Sequence, residues 1–201
     1  SITSGGRTIT ADMPRLGANI NCTGLLNSPA FSITAGSSGA SCYGSFTFAS
    51  GMTTTSTTNP LLLAGRGSYT LTTASVTINF PVQLLCSVGG TYTLQDNLTL
   101  LSSRSLSIFD GIFDANDHNV TGYGMFANSS RAHEIYMGSG TFTLQGTGIV
   151  WNSFTGFVIH AETSTIIISD TSATSKQLFT ASGDVYYNIT ITGDNVTLGS
   201  S

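Results

Sequence analysis

Apolar and polar positions alternate along most of this chain in short runs, each closed by Gly, Ser, Thr or Asn. The clearest stretch covers residues 138–174. Phe142 and Leu144 interleave there with Thr141, Thr143 and Gln145, which predicts a strand with one apolar and one hydroxylated face. Ile166-Ile167-Ile168 and the alternating Tyr187, Ile189 and Ile191 predict two more. Further upstream Val76, Ile78, Phe80, Val82 and Leu84 interleave with Thr77, Asn79, Pro81 and Gln83. These nine residues read as one strand, with Pro81 marking an edge or a bulge because proline has no N–H for the ladder. No apolar i, i+3, i+4, i+7 stripe of useful length occurs, and the density of Thr, Ser and Gly disfavours helices.

The strands recur. Gly44-Ser-Phe-Thr-Phe48, Gly67-Ser-Tyr-Thr-Leu71 and Gly90-Thr-Tyr-Thr-Leu94 align at Phe46, Tyr69 and Tyr92, with both gaps 23 residues. Gly111–Ala115 reads as a degenerate fourth copy and Gly140–Leu144 as a fifth after a longer spacer. A period of this size predicts an all-β fold, a β-solenoid or β-helix of short strands. The alternative is a β-sandwich, also built from short, regularly spaced strands. One coil cannot bury its apolar face alone, whereas about nine coils stacked roughly 4.8 Å apart would share a narrow core roughly 40 Å long. Residues 1–43 carry the weakest pattern and read as irregular N-terminal coils, an attachment or capping segment, ahead of a repeat array over 44–201.

Charge is scarce: only 8% of residues are charged, so hydroxyl side chains take the place of charges on the surface. No apolar run approaches the roughly 20 residues of a spanning helix, and no membrane insertion is expected. The net charge of −4, with Lys176 the only lysine and Arg7, Arg15, Arg66, Arg104 and Arg131 scattered, argues against nucleic acid as a partner. Cys22, Cys42 and Cys86 are odd in number and lack CxxC spacing, so three buried thiols are expected, with a Cys22–Cys42 bridge as the alternative. Without an initiator Met or a leader-like start, the chain reads as processed or as a segment of something longer.

Asp110, Asp114 and Asp117 form the one carboxylate cluster. They could ligate a hard cation or pair as acid and base, but their spacing matches no Ca²⁺ loop, and turn formation is the favoured reading. His133-Glu134, His160-Ala-Glu162 and His118 beside Asp117 offer imidazole–carboxylate pairs that would need to converge to hold a metal. Tyr123, Tyr136 and Trp151 are the candidates for a carbohydrate-stacking surface, Trp151 foremost; the competing expectation is aromatics stacked inside the solenoid. GxSxG, HExxH, P-loop and Rossmann patterns are missing, and no catalytic residue or cofactor is expected. Asn-x-Ser/Thr sequons begin at Asn21, Asn97, Asn119, Asn128, Asn188 and Asn195, as chance would produce in so Asn- and Thr-rich a chain.

Five segments (Gly90–Leu94, Phe113–Thr121, Gly138–Asn152, Ser164–Thr174 and Tyr186–Ile191) together resemble a repeat of bacteriophage structural proteins and related extracellular bacterial proteins. The resemblance spans about residues 88–194. It implies a β-solenoid on the virion exterior, as a capsid decoration or a tail fibre or spike segment, and brings no catalytic residues. The expected role is non-enzymatic: particle stability or host-surface adhesion, with partners being other copies in a homotrimer, other virion proteins and a host-surface glycan. A secreted or cell-surface bacterial adhesin or filament subunit is the alternative. Third comes a β-helix polysaccharide-degrading enzyme, whose mark would be a groove gathering Asp110, Asp114 or His133 with a basic residue. The low Lys and Arg content weighs against it.

Overall fold

A computed structural model describes residues 7–200 apart from Leu26, Ser56, Val88, Asn128, Ser130, Thr155 and Ser182. Its described residues contain no helix, so none is long and apolar enough to cross a membrane. Every paired strand runs parallel to its neighbours, and the chain winds through about eight turns of a β-solenoid with spacing near 23 residues. A β-sandwich is built from antiparallel strands, and none of these pairs is antiparallel.

Each turn lays strands on three faces. Face A runs from Thr8–Ala11 through Ala30–Ile33 and Thr53–Thr54. It resumes at the Ile78–Leu100 bridge and continues through Val120–Gly122, Thr141–Leu144 and Thr165–Ile168 to Asn188–Ile191. Face B starts at Arg15–Gly17, and its later strands include Val82–Leu85, Gly148–Ser153, Lys176–Thr180 and Val196–Ser200. Face C includes Ile20–Asn21, Ser68–Thr72, Thr91–Leu94, His133–Tyr136 and Phe157–His160. Leu106–Asp114 serves B and then C in one strand that bends at Gly111, where φ is +81°. The stretch 138–174 is therefore one whole turn, from face A through B and C and back to A. Residues 8–42 pair into the same ladders.

Because side chains alternate in and out along a strand, every second residue meets its counterpart one coil away inside the tube. Tyr69 faces Tyr92, Tyr92 faces Phe113, and Phe142 faces Ile166. The result is one continuous core from Ala11 to Leu178. All three cysteines are free and buried in it, so the expected thiols are found and no Cys22–Cys42 bridge forms.

Three expectations change. Phe46 sits opposite Leu71, two residues beyond Tyr69, and the Gly140–Leu144 copy lies on face A, while Phe113 continues to Ile135 on face C. The Gly-Thr-aromatic-Thr motif marks a tight corner followed by a half-buried strand, which every face requires. At Gly140 a Cβ would lie 2.2 Å from the His118 carbonyl oxygen, and at Gly44 2.2 Å from that of Ala18. The alternation from Val76 to Leu84 turns a corner: Ile78 bridges on face A, and Val82 opens a face B strand. Pro81 occupies that corner rather than an edge or bulge, and its carbonyl accepts the Leu61 N–H. There are about eight turns rather than nine because some steps are long, such as Trp151 to Leu178.

Candidate functional site

Strand periodicity divides the predicted imidazole–carboxylate pairs. Consecutive residues point to opposite sides, so His133 enters the core and its neighbour Glu134 stays outside. Two residues beyond Glu134, Tyr136 faces His160 one coil later on the adjacent strand, with Asp114 one coil earlier on the other side. The His160 ring stacks on the Tyr136 ring at 4.0 Å and 11°, and its Nε2 lies 3.1 Å from Glu134 Oε2. The Tyr136 hydroxyl donates to the same oxygen at 3.4 Å. Desolvation first, and then the charge of Glu134, push the Tyr136 phenol upward. Glu134 and His160 are each about one-third exposed, at 36% and 35%. The cluster is an aromatic–imidazole platform with a carboxylate at its rim. Glu162 contributes to it through its charge on Tyr136 rather than as the partner of His160.

His133 is 1% exposed; it stacks on Phe157 at 4.9 Å, and its Nδ1 is bound to the Arg131 carbonyl. Its Nε2 has no partner among the described residues.

The three aspartates point to three places. Asp110 is buried; Oδ1 accepts the Ser87 N–H at 2.9 Å and Oδ2 binds Arg131 at 2.8 Å, in a groove of about 330 Å³ shared with Ala132. Asp114 accepts the Asn116 N–H at 2.9 Å and the Thr93 hydroxyl at 3.3 Å. Asp117 accepts the Ser139 N–H from the next coil at 2.7 Å; that bond holds its carboxyl below the usual range, helped by the charge of nearby His118. Each therefore ties backbone or neighbouring coils together, as turn carboxylates do. Among the described residues no group of three His, Cys, Asp or Glu side chains is placed to hold a metal ion.

The aromatic trio is dispersed as well. Tyr123 lies at the A–B corner, donates to the Thr147 carbonyl and stacks on Phe126 at 6.4 Å. Trp151 is fully buried between Met125 and Leu178, with Nε1 donating to the Tyr186 hydroxyl at 2.9 Å. It is a core residue, because its position on face B has inward parity. Only Tyr136 belongs to the platform.

One juxtaposition had no sequence reading. Arg15, Tyr43 and Arg66, scattered in sequence, line one groove of about 610 Å³ with Leu16, Gly17 and Ala18. Their spacing of roughly one coil was the available signal. No family model, curated protein or solved structure matches this chain.

Proposed function

We propose that this chain is a non-enzymatic structural protein of a bacteriophage virion exterior, a capsid decoration or a tail fibre or spike segment that stabilises the particle or holds it to the host surface. The observation that carries the reading is the single core shared by about eight parallel coils. Neighbour-to-neighbour stacking makes a rod in which no coil opens without exposing the next. Self-association as a homotrimer and contact with other virion proteins fit a hydroxyl-rich exterior of low charge. The Tyr136–His160 platform with Glu134 beside it suits a sugar face and its hydroxyls, and is the favoured contact for a host glycan.

An adhesin or filament subunit of a bacterial surface would use the same rod. The enzyme reading required Asp110 or His133 with a basic residue in a groove. Asp110 does meet Arg131, but both its oxygens are engaged and His133 lies within the core, which favours a structural role. Electron microscopy of the native source with labelled antibody tests the proposal. Label over icosahedral heads is expected for a decoration and label at tails for a host-recognition segment. Label on cells or free filaments without virions overturns the phage reading in favour of the adhesin.

A further inference from the structure

Face A differs from the other two in what it shows to solvent. From Leu98 to Ile191 its five strands stay in register without a shift, whereas face B carries bulges and the outer side of face C carries Asp114, Glu134 and His160. One outward row on face A is Thr141, Thr165 and Asn188, extended just before the strands by Asn97 and Asn119. The parallel row, two residues on, is Thr99, Thr121, Thr143, Ile167 and Thr190. None of these side chains is charged and none is aromatic. Three of the sequons, at Asn97, Asn119 and Asn188, are this outward pair repeated, so their recurrence is structural rather than chance.

The rows are held rigidly. Asn97 Oδ1 accepts the Asn119 N–H at 2.9 Å, and Asn119 Oδ1 accepts the Thr141 N–H at 2.8 Å. Asn188 Nδ2 donates to Thr165 Oγ1 at 3.2 Å. β-Branched Thr and Ile have restricted χ1, so the second row keeps its geometry at little entropic cost. The hydroxyls of Thr99, Thr121, Thr143 and Thr190 have no hydrogen-bond partner among the described residues. Polar groups therefore repeat about every 4.8 Å along the axis and about 6.6 Å across it.

We propose that face A binds ice. Hexagonal ice presents ordered oxygen atoms on its planes, one of whose repeats is close to the strand spacing of about 4.8 Å, and it is a neutral, hydrogen-bonding lattice. An uncharged face is the electrostatic match for such a lattice. Hydroxyls at fixed spacing hold water in lattice positions while the Thr methyls and Ile167 cage it. A crystalline polysaccharide would call for aromatic rings on this face, and there are none.

The test uses the purified full chain and ice alone, by thermal hysteresis and by growth of polycrystalline ice. Wild type is expected to open a gap between melting and freezing and to keep ice grains small. Thr121→Tyr and Thr143→Tyr, each checked for an unchanged far-ultraviolet circular dichroism spectrum, should reduce both effects severalfold. Thr91→Tyr, on the outer side of face C, should leave them unchanged. A wild type without effect on ice, or equal loss in Thr91→Tyr, overturns the proposal. Retention on insoluble cellulose or chitin with no effect on ice replaces it with a polysaccharide surface. The proposal rests on face A alone and is independent of the virion reading.

Discussion

Up to residue 109 the chain sets Arg7, Arg15, Arg66 and Arg104 against only Asp12 and Asp96; from residue 110 onward Arg131 and Lys176 stand against eight carboxylates. The interior changes at the same place. The earlier coils are filled by an aromatic stack of Phe31, Phe46, Phe48 and Phe80, with ring centroids 4.6–6.1 Å apart. The later coils bury His133, Ser153, Ser164 and Lys176. Lys176 is enclosed and paired with Asp170 at 2.9 Å, and Trp151, Tyr186, Asp184 and Ser153 form one hydrogen-bonded chain. Both halves share the apolar core, but the earlier coils add a cluster of aromatic rings and the later coils add more buried polar groups held by directional bonds. Shape-filling should fail by volume lost, and bonded filling by partners lost.

The largest effect is expected in the aromatic half. Phe46→Ala removes a ring that touches Phe31 at 5.4 Å and Phe48 at 4.6 Å and should cost about 3–5 kcal/mol. Trp151→Phe keeps most of the bulk but leaves the Tyr186 hydroxyl without its donor, and should cost about 1–3 kcal/mol. Urea unfolding measures both. Hydrogen exchange should place the loosening in neighbouring coils, since a solenoid's coils stack chiefly on their neighbours. Equal costs for the two variants would erase the contrast.

A smaller effect probes a polar tie in the aromatic half, where the Tyr92 hydroxyl adds to the buried Thr73–Asp96 bonds at 2.7 and 2.9 Å. The Tyr92 hydroxyl donates to the Gly44 carbonyl at 2.9 Å and accepts the Gly65 N–H at 3.2 Å, so one side chain joins three coils. Tyr92→Phe leaves those backbone groups buried and unpaired, at a cost of about 2 kcal/mol. A change below about 0.5 kcal/mol in urea unfolding would show that this hydroxyl contributes little to holding the early coils together.

Strand type, period and thiol state were legible because alternation and repetition are local properties of a sequence. Faces were not. A corner glycine followed by Thr-aromatic-Thr looks the same on face A at Phe142 as on face C at Tyr92, so the motif reports a corner without saying which one. The Tyr136–His160–Glu134 cluster was half legible. Its residues were named, but His160 was read with Glu162 because a chain position suggests sequence neighbours, whereas a solenoid supplies partners one coil away. Trp151 illustrates the reverse: its apolar context gave no parity until the bulge between Ile149 and Trp151 turned it inward. The scattered arginines and sequons acquire meaning only once the coil length is known.

The smallest effect near neutral pH separates burial from chemistry in the thiols. Burial, with the charge of Asp110 second, pushes the Cys86 thiol up to about 12, and burial also raises Cys22 and Cys42. A group that holds its proton more tightly when folded gives stability that is full below its unfolded value near 9, lost as pH climbs toward the folded value. The melting temperature should therefore be flat from neutrality to about pH 8.5 and fall above it, less steeply in Cys86→Ala. Because the thiolate is the reactive form, a disulfide reagent at pH 8 should label no cysteine in the folded chain and all three after denaturation. Rapid labelling of one thiol in the native protein would show that its coil opens. If that thiol is Cys86, the weak point is the bend at Gly111, where Sγ fills the space a Cβ would occupy at 2.6 Å.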